Sequence, residues 1–278
     1  HPNTHLPDHL QGLIVPDPYR GPFREGTPDI AEAYAADTDR AISDLTSKGF
    51  EPAAFIIDSA LCSSGVPDTP KGYLRGVEKR VRAAGALMIC DEVQSGFGRM
   101  GEWWGHELHG VTADLVTMGK PVGNGHPLGV VVTTTEILER FTEKTGLFST
   151  FGGNTVACAA GNAVLDVIER DGLIENGRVV GKYLRDQLRE LAQSRPLIGD
   201  VRGFGMLTGV EFVTDREART PATAETAHLL ELMRQHHVLV GNEGRDGNIL
   251  KLRPPLVFEH EHADLLVAAL DSALEQLA

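Results

Sequence analysis

Two short, uninterrupted apolar runs, at residues 53–57 and 86–90, constrain the fold of this chain more than any other feature. A run of that length between polar turns is what a strand buried inside a parallel sheet shows. Further strand-like stretches follow at 114–118 and 128–134. Parallel neighbours need a crossover, and the sequence supplies helical patterns at 29–48 and, basic and amphipathic, at 71–84. Alternation of this kind predicts a doubly wound α/β domain. Residues 1–28 read as irregular, and a long helical pattern fills 155–192 with Gly172 and Gly177 as interruptions. Past Pro196 the texture changes. Residues 201–213 read as two short strands or one bent strand, and 222–236 as a helix opened by Thr220-Pro221. Strands at 238–240 and 248–252 and an amphipathic helix over 259–277 complete the reading. The expected organisation is a large domain over 1–195, carrying the long connecting helix, and a small C-terminal α/β domain over 196–278.

Charge and composition narrow the function classes. A net charge of -13 argues against a nucleic-acid backbone or an anionic membrane as partner. The first residues lack the basic-then-apolar shape of a signal peptide, and no run is long enough for a membrane span. Three cysteines, Cys62, Cys90 and Cys158, with no CxxC pair, suit a reducing compartment, so a cytoplasmic location is expected. No metal site is expected, because His236-His237 and Glu259-His260-Glu261-His262 lack the HExxH spacing.

In open α/β sheets, functional groups gather where the strands end. Two such ends carry ionisable residues directly after an apolar stretch: Asp91-Glu92-Val93-Gln94-Ser95-Gly96-Phe97-Gly98-Arg99 and Leu115-Val116-Thr117-Met118-Gly119-Lys120-Pro121. A crowded strand-end lysine is suited to Schiff-base chemistry. An aspartate at a neighbouring end could keep a pyridine nitrogen protonated, which makes the ring an electron sink. Taken singly, a strand-end Asp is more often a turn residue and a strand-end Lys a solvated one. Gly119-Lys120 is no P-loop, since Pro121 stands where Ser or Thr is required.

The stretch from Asp91 to Arg99 resembles the D-E-V-Q-x-G-F-G-R signature of class III aminotransferases, enzymes of pyridoxal-phosphate fold type I. Thr117-Met118-Gly119-Lys120 resembles the family's Schiff-base lysine segment, Ser149-Thr150-Phe151-Gly152-Gly153-Asn154 its S-T-[FY]-G-G-N turn, and Pro254-Pro255-Leu256 its P-P-L. The resemblance implies pyridoxal 5'-phosphate as cofactor, with Lys120 as its covalent partner and proton shuttle. It further implies that Asp91 pairs with the pyridine nitrogen, Val93 packs on the ring, and Gln94 bonds near the phenolic oxygen. Thr150 would reach the phosphate in a neighbouring subunit, so a homodimer with shared sites is implied. The family's Gly-Ser/Thr-Glu phosphate cup and stacking aromatic are expected upstream of this segment.

The resemblance also bears on the reaction. Family transaminases that act on α-amino acids clamp the carboxylate with an arginine three residues before the P-P-L prolines. Lys251 occupies that place here, with Arg253 two residues on. Lysine cannot reproduce the planar, bidentate fork. The family's E-P-x-x-G-E segment reads Asp58-Ser59-Ala60-Leu61-Cys62-Ser63, with no second acid. Residues 16–21, 119–127 and especially 219–225 are similar to the ethanolamine-phosphate phospho-lyase branch. The expected function is therefore a phospho-lyase acting on a small, phosphorylated amine, with Lys251 and Arg253 as candidate substrate cations. A transaminase of the amine or alanine–glyoxylate type is the alternative, and an inactive paralogue or fragment the third.

Overall fold

The computed structural model describes residues 6–277; the first five residues of the stretch expected to be irregular lie outside it. From residue 6 the chain runs irregularly to Asp29. Helices α1 (Ile30–Ala35) and α2 (Asp37–Ser47) divide the single helix expected over 29–48. Strand β1 (Ala54–Asp58), helix α3 (Tyr73–Ala83), strand β2 (Leu87–Asp91), the short helix α4 (Gly105–His109) and strand β3 (Leu115–Met118) follow. Strand β4 (Val130–Thr133) leads into helices α5 (Thr135–Thr145), α6 (Thr155–Arg170) and α7 (Leu173–Ser194). The first sheet has the order β1-β2-β3-β4, with the first three strands parallel and β4 antiparallel. Its register pairs Asp58 with Asp91 and Asp91 with Thr117, so three carboxyl ends lie side by side at one edge.

The apolar runs are buried on one face only. Tyr34, Tyr73, Leu74 and Val77 of α1 and α3 pack against Ile57, Met88 and Cys90. On the other face Ile56 is 61% exposed and Val131 also 61%, because no described helix covers them. The same exposure continues past α5, where Phe148 and Phe151 are 90% and 81% exposed. An apolar strip of this kind marks a surface that something else covers.

The second sheet holds β5 (Ile198–Phe204), β6 (Leu207–Asp215), β7 (Thr220–Pro221), β8 (Gly241–Glu243) and β9 (Ile249–Leu252), in the order β5-β6-β9-β8 with β7 on β6. Helices α8 (Thr223–Gln235) and α9 (His260–Leu277) pack on it with α7 around Leu184, Phe212, Leu229, Leu250 and Leu270. The glycine-rich stretch after Pro196 is thus a hairpin. Thr220-Pro221 is strand rather than helix start, and residues 238–240 precede a strand instead of forming one. Gly172 does break the long helix, but Gly177 does not. It lies buried inside α7, whose next turn carries Gly181, where a Cβ would collide with the Gly205 carbonyl oxygen at 1.8 Å. These glycines let α7 pack directly on the neighbouring turn. The strands of the two sheets do not mix, while α7, expected to belong to the large domain, packs into the core of the second sheet through Leu184 and Leu188. Among the described residues no helix is long and apolar enough to cross a membrane.

Candidate active site

An open cleft of about 830 Å³ lies at the carboxyl edge of the first sheet. Val93, Gln94, Phe97 and Arg99 line it from the turn after β2, Lys120 and Asn124 from the turn after β3, and Arg253, Pro255 and Leu256 from the segment after β9. Helix α6 supplies an apolar wall through Ala160, Val164 and Ile168. The cleft is cationic. Arg99, Lys120 and Arg253 line it, and no carboxylate is among the described lining residues.

The turn after β2 has to leave the sheet sharply. Phe97 adopts φ 59 between Gly96 and Gly98, a left-handed conformation uncommon for an aromatic residue. Packing holds it there, because Phe97 is 4% exposed and stacks edge-on with Trp104 at 5.2 Å. Beneath the turn, Glu92 is fully buried and accepts from five donors. These are the hydroxyls of Ser59 at 2.9 Å and Ser95 at 2.6 Å, the backbone N–H groups of Gly105 at 2.8 Å and His106 at 2.9 Å, and His106 Nδ1 at 2.8 Å. Burial alone would push this carboxyl up, but His106, Ser95 and the two backbone groups outweigh it and hold it at about 2. Sequence reasoning gave Glu92 no role. The available signal was period-two alternation, which sends Glu92 to the opposite side from Asp91.

A testable consequence follows from that depression. The stability that Glu92 contributes is fully present above the ordinary value of 4.5 and is lost as pH falls toward about 2. It amounts to the order of 2–3 kcal/mol. Glu92→Gln is expected to lower the melting temperature near neutrality and to flatten its decline between about pH 5 and pH 2. Parallel melting curves for the two proteins across that range would show that Glu92 carries no such linkage.

Of the residues singled out from sequence, Lys120, Val93, Gln94 and Arg253 come together in the cleft. Arg253 Nη1 donates to Gln94 Oε1 at 2.9 Å. Asp91 sits at the end of β2 behind the cleft wall, half-buried and not itself lining the cleft, with Oδ1 accepting from the N–H of Val93, which does line it, at 3.0 Å. Thr150 is exposed in the loop between α5 and α6 and does not line the cleft. Lys251 does not line it either. It is 8% exposed and its ammonium is paired with Glu243 on the adjacent strand β8. Of the two candidate substrate cations, only Arg253 reaches the cleft. Arg99, unassigned from sequence, also lines it, anchored by donation to the Pro254 carbonyl.

The arrangement fits the ring and aldehyde end of pyridoxal phosphate. Lys120 is exposed within the cleft, and Val93 packs beside the Lys120 backbone turn, where a Cβ on Gly119 would lie 3.6 Å from Val93 Cγ2. Asp91 brings a carboxylate to the adjacent strand end, in register with Thr117 three residues before the lysine.

Comparison with known proteins agrees. The Aminotransferase class-III pattern matches residues 3–274. The chain is 45% identical over 266 residues to alanine–glyoxylate aminotransferase 2 homolog 2, mitochondrial, of Arabidopsis thaliana, covering 95% of this chain and 54% of that protein. It is 36% identical to ethanolamine-phosphate phospho-lyase homolog 1 of Caenorhabditis elegans, covering 96% of this chain and 60% of that protein. A phospholyase from Arthrobacter, solved in complex with phosphoethanolamine, superposes with a TM-score of 0.94 at 43% identity, over 99% of this chain and 65% of that one. The chain thus spans little more than half the length of the curated relatives it matches. With the strand-end lysine and aspartate on a fold type I sheet, and with that match along nearly its whole length, this chain belongs to the class III aminotransferase family and shares its dependence on pyridoxal phosphate.

Proposed function

We propose that the protein containing this chain is a phospho-lyase that eliminates phosphate from O-phosphoethanolamine or a similar amino-alkyl phosphate. The observation that carries this reading is the charge of the cleft: three cationic side chains, one of them Arg253, and no carboxylate among the described lining residues. A leaving phosphate dianion needs fixed positive charge where it departs. The likeness to the phosphoethanolamine-bound phospholyase supports the same substrate class.

Lys120, Asp91, Val93 and Gln94 would hold the cofactor, which when bound supplies an electron sink for a carbanion. Lys120 Nζ takes the proton from the substrate carbon that bears nitrogen. Asp91 keeps the ring nitrogen protonated through its negative charge. Arg253, oriented by Gln94, stabilises the phosphate as the bond from the adjacent carbon to oxygen breaks. The remaining enamine takes up water to give acetaldehyde and ammonia, so atoms balance without a second amino acceptor. We assign Thr150 to the cofactor phosphate of a neighbouring subunit in a homodimer. The exposed Phe148 and Phe151 on the same loop support such an interface. The expected cytoplasmic location stays a proposal, since relatives of this chain include a protein named as mitochondrial.

A transaminase is the second reading, favoured by the 45% identity to the alanine–glyoxylate aminotransferase homologue. The two are separated by O-phosphoethanolamine given alone to the full-length protein. A lyase releases inorganic phosphate over many turnovers, whereas a transaminase stops after one half-reaction. Arg253→Ala is expected to reduce kcat/KM for phosphate release by about 10²-fold with little loss of cofactor, the scale of removing one charged contact to the phosphate that is made in the bound substrate as well as in the transition state. Turnover that requires pyruvate or glyoxylate, without free phosphate, replaces the lyase reading with the transaminase.

A further inference from the structure

Two stretches set apart by the sequence, 16–21 and 219–225, play no part in the cleft, yet they meet in the structure. The first belongs to the strap that precedes α1 and is anchored to the large domain. The Tyr34 hydroxyl, in a side chain with no exposure, lies 2.8 Å from the Asp17 carbonyl and 2.7 Å from the Phe23 carbonyl, with its single proton shared between the two acceptors. Gly21 fits only because it lacks a side chain, since a Cβ there would lie 1.9 Å from the Tyr34 hydroxyl.

The second stretch begins at the turn between β6 and β7. The Arg219 guanidinium stacks 4.4 Å from the Tyr19 ring centroid and also donates to the Tyr19 carbonyl. Arg20 returns the contact, donating from Nη1 to the Arg219 carbonyl at 2.7 Å and pairing through Nε with Glu211 on β6. Glu211 has no exposure and also binds Arg202 Nη1 at 2.7 Å. Arg202, 1% exposed, donates from Nε to the Gly65 carbonyl at 3.0 Å, in the loop after β1. Reciprocal backbone and side-chain bonds therefore tie the strap to β6 and β6 back to the large domain. Strand β6 is the neighbour of β9, with Glu211 in register with Ile249, and Arg253 emerges into the cleft just past the end of β9.

We propose that Arg219, Tyr19 and Arg20 form a clasp of positioning residues that sets how far β9 holds Arg253 over the cleft, and so tunes affinity for an anionic substrate. The clasp rests on the assignment of Arg253 to the phosphate end of the substrate. None of its members lines the cleft. Glu211 and Arg202 are poor probes, since removing one partner strands a buried charge. Arg219, at the rim, is the residue to change.

The test uses the full-length, cofactor-loaded protein with O-phosphoethanolamine. Arg219→Ala is expected to raise KM about five- to tenfold while kcat stays within about twofold and cofactor is retained, because uniform binding is lost. In an Arg253→Ala background the same change is expected to move KM less than about twofold, the signature of residues acting through one another. Arg219→Lys, which keeps the charge and a donor for the Tyr19 carbonyl, should return KM to within about threefold of the unaltered protein. Tyr19→Leu, which removes the ring and keeps the carbonyl, should raise KM in the same direction if Arg219→Ala does not fold. An unchanged KM, equal effects in both backgrounds, or cofactor loss in step with KM would overturn the clasp. Amide exchange provides an arm independent of the reaction. Arg219→Ala should speed exchange at 249–252 about tenfold or more without changing 87–91. If the unaltered protein releases no phosphate, the lyase reading fails by itself, and unchanged exchange at 249–252 still overturns the clasp.

Discussion

Replacing Lys120 with alanine in the full-length protein is expected to abolish both borohydride-trapped cofactor on this peptide and turnover of any amine substrate. Among the described residues Lys120, exposed just past the end of β3, is the one lysine that lines the cleft, so none of them offers a second ammonium there. Two roles vanish together, the covalent attachment of the cofactor and the movement of the proton at the aminated carbon. Loss of a nucleophile and base at one position predicts at least about a 10⁴-fold fall in kcat. The measurement is peptide mapping after reduction, alongside steady-state turnover. Undiminished trapping on this peptide in the variant would sink the assignment of Lys120.

Asp91→Asn is expected to keep the shape of the strand end and the bond from the Val93 N–H while removing the charge. A unit charge about 4 Å from its partner is worth about 4 kcal/mol at an effective dielectric of about 20, which corresponds to about 10³-fold in rate. The cofactor should still bind, since Lys120 and Val93 remain, and kcat should fall by about that factor. Absorbance of the bound cofactor separates the two quantities. Near-normal turnover with a full complement of cofactor would mean that the ring nitrogen has another partner, and Asp58, in register with Asp91 on β1, would be the next carboxyl to change.

The strand ends were legible without any structure. The runs at 53–57 and 86–90 read as strands of a parallel sheet, which puts the polar residues that follow at its carboxyl edge. Local pattern put Asp91 and Lys120 at neighbouring strand ends, and the structure places them there, with Asp91 in register with Thr117; the roles proposed for them came from the family resemblance. The long helix was legible too, but not the use of its glycines. Gly177 looks like a breaker by propensity, whereas packing against another segment makes it a point of close approach. Burial of the runs on both faces was expected, yet Ile56 stands open, because what covers a sheet face depends on neighbours that no strand encodes.

What the sequence determined by itself was the family and its cofactor, because both rest on short motifs, which are properties of consecutive residues, and the roles proposed for Asp91 and Lys120 follow from the same motifs. Only the tertiary structure decided which of two candidate cations reaches the cleft. Lys251 and Arg253 are two residues apart and equally charged, so local pattern treats them alike. Glu243 on β8 claims Lys251, and the chain past β9 delivers Arg253 to Gln94. The same holds for Glu92, whose five donors come from three separate segments, and for the meeting of Tyr19 with Arg219, 200 residues apart in the chain. Partner choice among charges is settled by competition across long chain separations, and that competition exists only once the sheets are assembled.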